Sequence, residues 1–154
     1  MREEDVPQDE SPFYQGHLRA CYAVGPDGKY VLATSTGWTP ERIATAQALA
    51  DLENRVEAAR LEVIAGRASP LAYHMAARQM TPRLLARNAR IFLWRVRGHL
   101  APAGFTRLTP KLLERYADCL SLTIEDLRRV PPEARRVFTD ADLGCAEAMP
   151  GGEA

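Results

Sequence analysis

No stretch of this 154-residue chain approaches the roughly 20 consecutive apolar residues that a membrane span requires. Its acidic start also lacks the basic region and apolar core of a secretory signal. The expectation is a soluble, cytoplasmic protein with no membrane attachment. Cysteine is scarce. Cys21, Cys119 and Cys145 are odd in number, far apart and without a C-x-x-C, which supports neither a disulfide framework nor a zinc site. Cys119 lies in an apolar helical pattern and reads as a small buried hydrophobe. His17, His74 and His99 are equally scattered, and no pair has the i, i+4 spacing of a helical metal site. A Gly-rich phosphate loop and a G-x-S-x-G turn are missing as well. His17, Cys21 and Tyr22 are neighbours in sequence, but strand alternation sends Cys21 and Tyr22 to opposite faces, and no orienting acid accompanies them. The chain reads as a non-enzyme that takes no cofactor and no metal.

The most informative absence is of negative charge. Between residues 78 and 107 stand Arg78, Arg83, Arg87, Arg90, Arg95, Arg97 and Arg107, with no Asp or Glu among them. From residue 68 to residue 130 eleven basic side chains face four acidic ones, a net charge of +7, and the rest of the neutral chain therefore carries −7. A cationic half on a small helical unit is the footprint of a protein that meets polyanions. The plain alternative is a solvated arginine surface.

Residues 1–16 are acidic, contain Pro7 and Pro12, and are expected to be disordered or loosely docked. Two β-prone runs follow, 18–24 and 30–34, separated by Gly25, Pro26, Asp27, Gly28 and Lys29. Proline presets the first turn dihedral and glycine accepts the positive one after it, so a β-hairpin is expected. Such a hairpin is marginal alone and must pack on a helix or pair with another chain. Four times a hydroxyl residue precedes a proline: Thr39-Pro40, Ser69-Pro70, Thr81-Pro82 and Thr109-Pro110. Each pair reads as an N-cap followed by a proline whose missing amide had no partner anyway. Thr123, three residues before Asp126, marks a fifth start.

The first helix, 40–65, is closed by Gly66 and carries a 3-4 seam of Leu49, Leu52, Val56, Ala59 and Val63. Leu61 and Ile64 lie off that seam, so its far end offers apolar surface on two sides, one of them suited to a dimer partner. Four segments are thus expected: an acidic N-terminus (1–16), a hairpin with a long helix (17–67), a helical domain (68–130) and a mobile tail (131–154). Within the tail, Arg135, Arg136, Val137 and Phe138 could form a short docked segment.

Helix starts at Pro70, Pro82, Pro110 and Ile124, with a further segment at 91–100, make five short helices in about 60 residues. This arrangement resembles the lambda-repressor-like, or Cro/C1-type, helix-turn-helix family. Residues 112–127, from Leu112-Leu113-Glu114-Arg115 through Tyr116-Ala117-Asp118-Cys119 and Leu120-Ser121-Leu122 to Thr123-Ile124-Glu125-Asp126-Leu127, resemble the family's fourth and fifth helices. Leu84-Leu85-Ala86-Arg87 resembles its second helix, and Val96 with His99-Leu100 the buried positions of its third.

The resemblance implies a mainly α protein: a five-helix lambda-repressor-like domain preceded by a β-hairpin and one long helix. It further implies a transcriptional regulator that binds double-stranded DNA. The third helix would enter the major groove with Leu93, Trp94, Arg95 and Arg97 toward base edges, Leu93 offering contact to a thymine methyl. Arg83, Arg87 and Lys111 would approach phosphates, with Arg90 between the two helices. A homodimer through the long helix or the hairpin would double the contacts.

Two departures set this chain apart from the family. Arg90 stands where the family usually places glycine in the turn, and Phe92, Leu93 and Trp94 stand where short polar residues usually begin the reading helix. Phe92 and Trp94 therefore read either as core or as exposed contacts. If exposed, Phe92, Leu93 and Trp94 suit a protein partner, which leaves a non-catalytic adaptor or an antitoxin-like repressor as the alternative functions. The turn itself has a rival reading: Leu85, Ala89, Phe92, Val96 and His99 keep a 4-3-4-3 spacing that also fits one continuous helix. Separate helices are expected, because the segment downstream of them matches the family so well.

Overall fold

The computed structural model describes residues 1–14 and 16–133. The chain is mainly helical, with one two-stranded antiparallel hairpin near its start. It divides into two compact units at Ala50 and Asp51, within the long helix.

In the first unit β1 (Arg19–Val24) pairs with β2 (Tyr30–Ser35), with Tyr22 opposite Leu32 and Val24 opposite Tyr30. The connection is built as its residues demand. Gly28 donates to the Gly25 carbonyl at 3.0 Å and adopts φ 77°, while the Lys29 amide donates to the Asp27 carboxylate at 3.2 Å. The first residues, expected to be disordered or loosely docked, lie along this hairpin. The Val24 amide donates to the Met1 carbonyl, and Val6 is buried with Ala23 and Ala33. Gln8 donates to the Thr34 carbonyl at 2.6 Å, and Asp9 accepts the Thr39 amide at 2.8 Å. That amide holds the Asp9 carboxyl below its ordinary pKa. Charge did not keep the segment off the protein because Gln8 and Asp9 find backbone partners there and Val6 finds a small apolar niche.

The long helix α1 spans Thr39–Ile64 and ends as its glycine requires. Gly66 takes φ 71°, the Gly66 amide donates to Val63, and the Arg67 amide reaches the Glu62 carbonyl at 2.9 Å.

The second unit contains the end of α1 and six further helices: α2 (Pro70–Ala77), α3 (Pro82–Asn88), α4 (Leu93–His99), α5 (Pro102–Phe105), α6 (Pro110–Leu120) and α7 (Ile124–Arg128). Five were expected after residue 68; the additional one is the single turn α5, started by Pro102. Leu71, Leu85, Val96, Tyr116, Leu120 and Leu127 are its fully buried centre. One residue from each of α2, α3, α4 and α7, with two from α6, meets there, and Phe105 of α5 joins the same buried cluster, so each of these six helices has a buried anchor. Burying a leucine contributes about 1.5–3 kcal/mol, which is how helices of four to eleven residues, too short to persist alone, hold together.

The hydroxyl residues do not all work as expected. Thr81 accepts the Leu84 amide and Thr123 the Asp126 amide, so these two are true caps. Asp126 does not bond back to the Thr123 backbone; its carboxylate takes the Thr123 hydroxyl at 2.7 Å instead. Thr109 makes no side-chain cap bond, and Thr39 already belongs to its helix. Ser69 is fully buried and donates to the His99 carbonyl at 2.8 Å, while its amide donates to Leu100. Its hydroxyl ties the start of α2 to the end of α4, where carbonyls lack helical partners.

Arg60, on the last turns of α1 and beside the seam residue Ala59, is buried. Its guanidinium forks onto Glu57 at 2.7 and 2.8 Å and donates to the Pro132 carbonyl at 2.6 Å. The expected mobile tail and the docked segment at 135–138 otherwise lie outside the described residues. Among the described residues no helix is long and apolar enough to cross a membrane.

Candidate nucleic-acid interface

Helices α3 and α4 are separate, and the continuous rod is excluded by the backbone between them. Ala89 caps α3, Arg90 turns to φ 53°, and Phe92 is extended at the start of α4. The Arg90 amide donates to Arg87 at 3.3 Å and the Ile91 amide to Ala86 at 3.0 Å, the paired bonds of a Schellman ending. Arg90 thus occupies the left-handed conformation that glycine would adopt without strain. The periodicity of Leu85, Ala89 and Val96 survives because Ile91 replaces Phe92 as the buried residue of the turn.

That substitution decides where the aromatics go. Phe92 is 73% and Trp94 72% exposed, so neither fills the core. Leu93 is half-buried against the core cluster rather than standing free on the outer surface with them. Its place on the buried side follows from Val96, the fully buried centre of α4, three residues later.

The cations lie outside. Arg83 and Arg87, one turn apart on α3, are exposed, as are Arg90 in the turn and Arg95 and Arg97 on α4. Lys111 is exposed in the first turn of α6. Among the described residues, no ion pair engages any of these six. An unpaired exposed guanidinium keeps its donors and its charge available to an anion.

Trp94 and Arg95 line an open groove of about 310 Å³ together with Gly98, His99, Arg107, Thr109 and Leu112. Arg107, at the end of the cationic run, lines this groove as well. Its neighbour in space is decided by Gly104. A Cβ at that position would collide with the Gly98 carbonyl oxygen, so α5 approaches the α4 backbone as closely as it does only because Gly104 lacks a side chain. Glycine spacing was the available signal.

Two histidines tie helices of this unit together. His99 Nδ1 lies 2.8 Å from the Tyr116 hydroxyl, joining α4 to α6. Burial pushes the Tyr116 phenol up to about 12 and, with the nearby Arg95 charge, pulls His99 down. His74, buried on α2, has Nε2 2.8 Å from the Arg129 carbonyl after α7; burial is the main cause of its lowered pKa. Neutral histidines at these positions act as hydrogen-bonding spacers, not as charges.

The chain matches no family model, no curated protein and no solved structure.

Proposed function

We propose that this chain is a DNA-binding regulator of Cro/C1 type, which meets duplex DNA through α3, the Arg90 turn and α4. The observation that carries this reading is an independent seven-residue α4, set off by the Arg90 turn, whose outer residues Trp94, Arg95 and Arg97 are exposed and free of ion pairs among the described residues. Arg95 and Arg97 have the donor geometry to grip guanine O6 and N7, and Arg83, Arg87 and Lys111 the charge to neutralise phosphates. Leu93 is not counted as a base contact, because it packs inward. Arg107 joins the phosphate-directed set. Binding by so many guanidinium groups displaces condensed counterions, so affinity should fall steeply with salt. The test is a fluorescence anisotropy titration of the full chain against labelled random-sequence duplex at low salt. Failure to bind there rejects the reading.

A second reading is favoured by one observation, the exposure of both Phe92 and Trp94. In it the same helices serve a non-catalytic adaptor, and the two rings anchor a protein partner. The variant Phe92→Ala/Trp94→Ala separates the two. Retained salt-sensitive DNA binding leaves the rings to a protein contact, whereas its loss makes them part of the nucleic-acid surface.

A further inference from the structure

The hairpin is packed the wrong way round for a self-sufficient unit. Alternation places Cys21, Ala23, Val31 and Ala33 on one face of the sheet, where Ala23 and Ala33 are buried with Val6. The opposite face carries Ala20, Tyr22 and Val24 across from Thr34, Leu32 and Tyr30. Its bulky members are outside: Tyr22 is 79%, Tyr30 81% and Leu32 64% exposed, and Leu18 just before β1 is 60% exposed. Small side chains are inside and large ones in water, the reverse of what burial favours.

We infer that this outer face is the interface with a second copy of the same chain. Three points identify that occupant. A two-stranded hairpin needs further packing to be stable, and the inward face, with two alanines and a valine, supplies little of it. The outer face contains no ionisable group other than the tyrosine phenols, which suits a twofold axis: such an axis brings a patch against its own copy, where any charge would repel itself. The area is sufficient. Two tyrosines of this exposure offer on the order of 300 Å², and with Leu18 and Leu32 the face reaches roughly 500 Å² per copy, so pairing buries about 1,000 Å², the lower bound for a specific interface. Tyrosine stacking across the axis, with hydroxyls at the rim, matches the chemistry of such contacts. The inference needs no nucleic acid and stands apart from the DNA reading.

Sedimentation velocity of the full chain from about 1 to 100 µM decides it, since an interface of this size should dissociate in about the micromolar range. The expected result is a dimer that Leu32→Arg weakens at least about 100-fold, through like charges facing each other. Leu61→Arg, at another exposed leucine, on α1, should leave dissociation within about twofold of the parent. Mixing Leu32→Arg with Leu32→Glu should restore association, which requires the same face on both partners. Circular dichroism checks folding, and Tyr22→Arg on the paired strand replaces Leu32→Arg if that variant loses structure. A chain that stays monomeric throughout overturns the inference. So does dissociation by Leu61→Arg but not by the hairpin variants, or a charge mixture that remains monomeric.

Discussion

The amide of Ile91 donates to the carbonyl of Ala86 at 3.0 Å, and this one bond closes the turn that separates α3 from α4. Between its ends Arg90 is held at φ 53°, where an L side chain costs about 1–2 kcal/mol relative to right-handed backbone. Arg90→Gly should relieve that strain and raise stability by about 1 kcal/mol, after allowing for glycine's greater freedom in the unfolded chain. Urea denaturation would measure it. The same variant removes a cation, so DNA affinity should fall while stability rises. A loss of stability would show that the Arg90 side chain does more for the fold than its exposure indicates.

Gly98 and Gly104 should respond to alanine with opposite signs. A methyl at Gly104 meets the Gly98 carbonyl oxygen and forces α5 away from α4, an overpacking cost of about 1–3 kcal/mol. A methyl at Gly98 meets no atom within 4 Å, and alanine in a helix is better than glycine by about 1 kcal/mol. Thermal melts of the two single variants check the pair. Since Gly104 also shapes the groove beside Trp94, its variant should change tryptophan fluorescence.

Stability should decline as pH falls from 7 toward 5.5, with His74 as a contributor. Its folded pKa lies below the ordinary value of 6.5, so the unfolded chain binds the proton more readily. The stabilisation is complete above about 6.5, the unfolded histidine value, and is lost as pH drops through that value toward the folded one. His74→Gln, which retains a donor for the Arg129 carbonyl, should flatten this part of the stability profile. An unchanged slope would assign the effect to His99, whose pKa is lowered as well.

The arginines should divide by role. Arg83→Ala is expected to weaken binding to all duplexes alike and reduce the slope of log affinity against log salt by about 1. Arg97→Ala should in addition lower the preference for the best sequence by about tenfold. Anisotropy titrations with a selected site and a random duplex at several salt concentrations compare them. Identical behaviour of the two variants would remove α4 from base reading.

Much of the fold was legible in the residues. Pro26, Asp27 and Gly28 mark the hairpin turn, Gly66 ends the long helix, and Pro70, Pro82 and Pro110 each stand at a helix start. Other features were not. The Leu85, Ala89, Phe92, Val96 periodicity describes one helix as well as two, and nothing local says that Arg90 will accept a positive φ. Neither Ser69 nor Thr109 caps with its side chain: a hydroxyl beside a proline has the chemistry to cap, but a carbonyl elsewhere can claim it, as that of His99 claims Ser69. Of the candidate site, the arginines were evident from composition, whereas the inward turn of Leu93 and the placing of Arg107 beside Trp94 and Arg95 were not.

Short-range chemistry settles where this chain turns, where its helices begin and which stretch is cationic, because each depends on a few adjacent dihedrals, a missing amide or the sum of nearby charges. Packing settles the rest. The core has room for Ile91 and not for Phe92 or Trp94, and a close approach of two glycines brings distant arginines to one groove. Those outcomes depend on which surfaces compete for the same buried volume, a question that no single segment can answer.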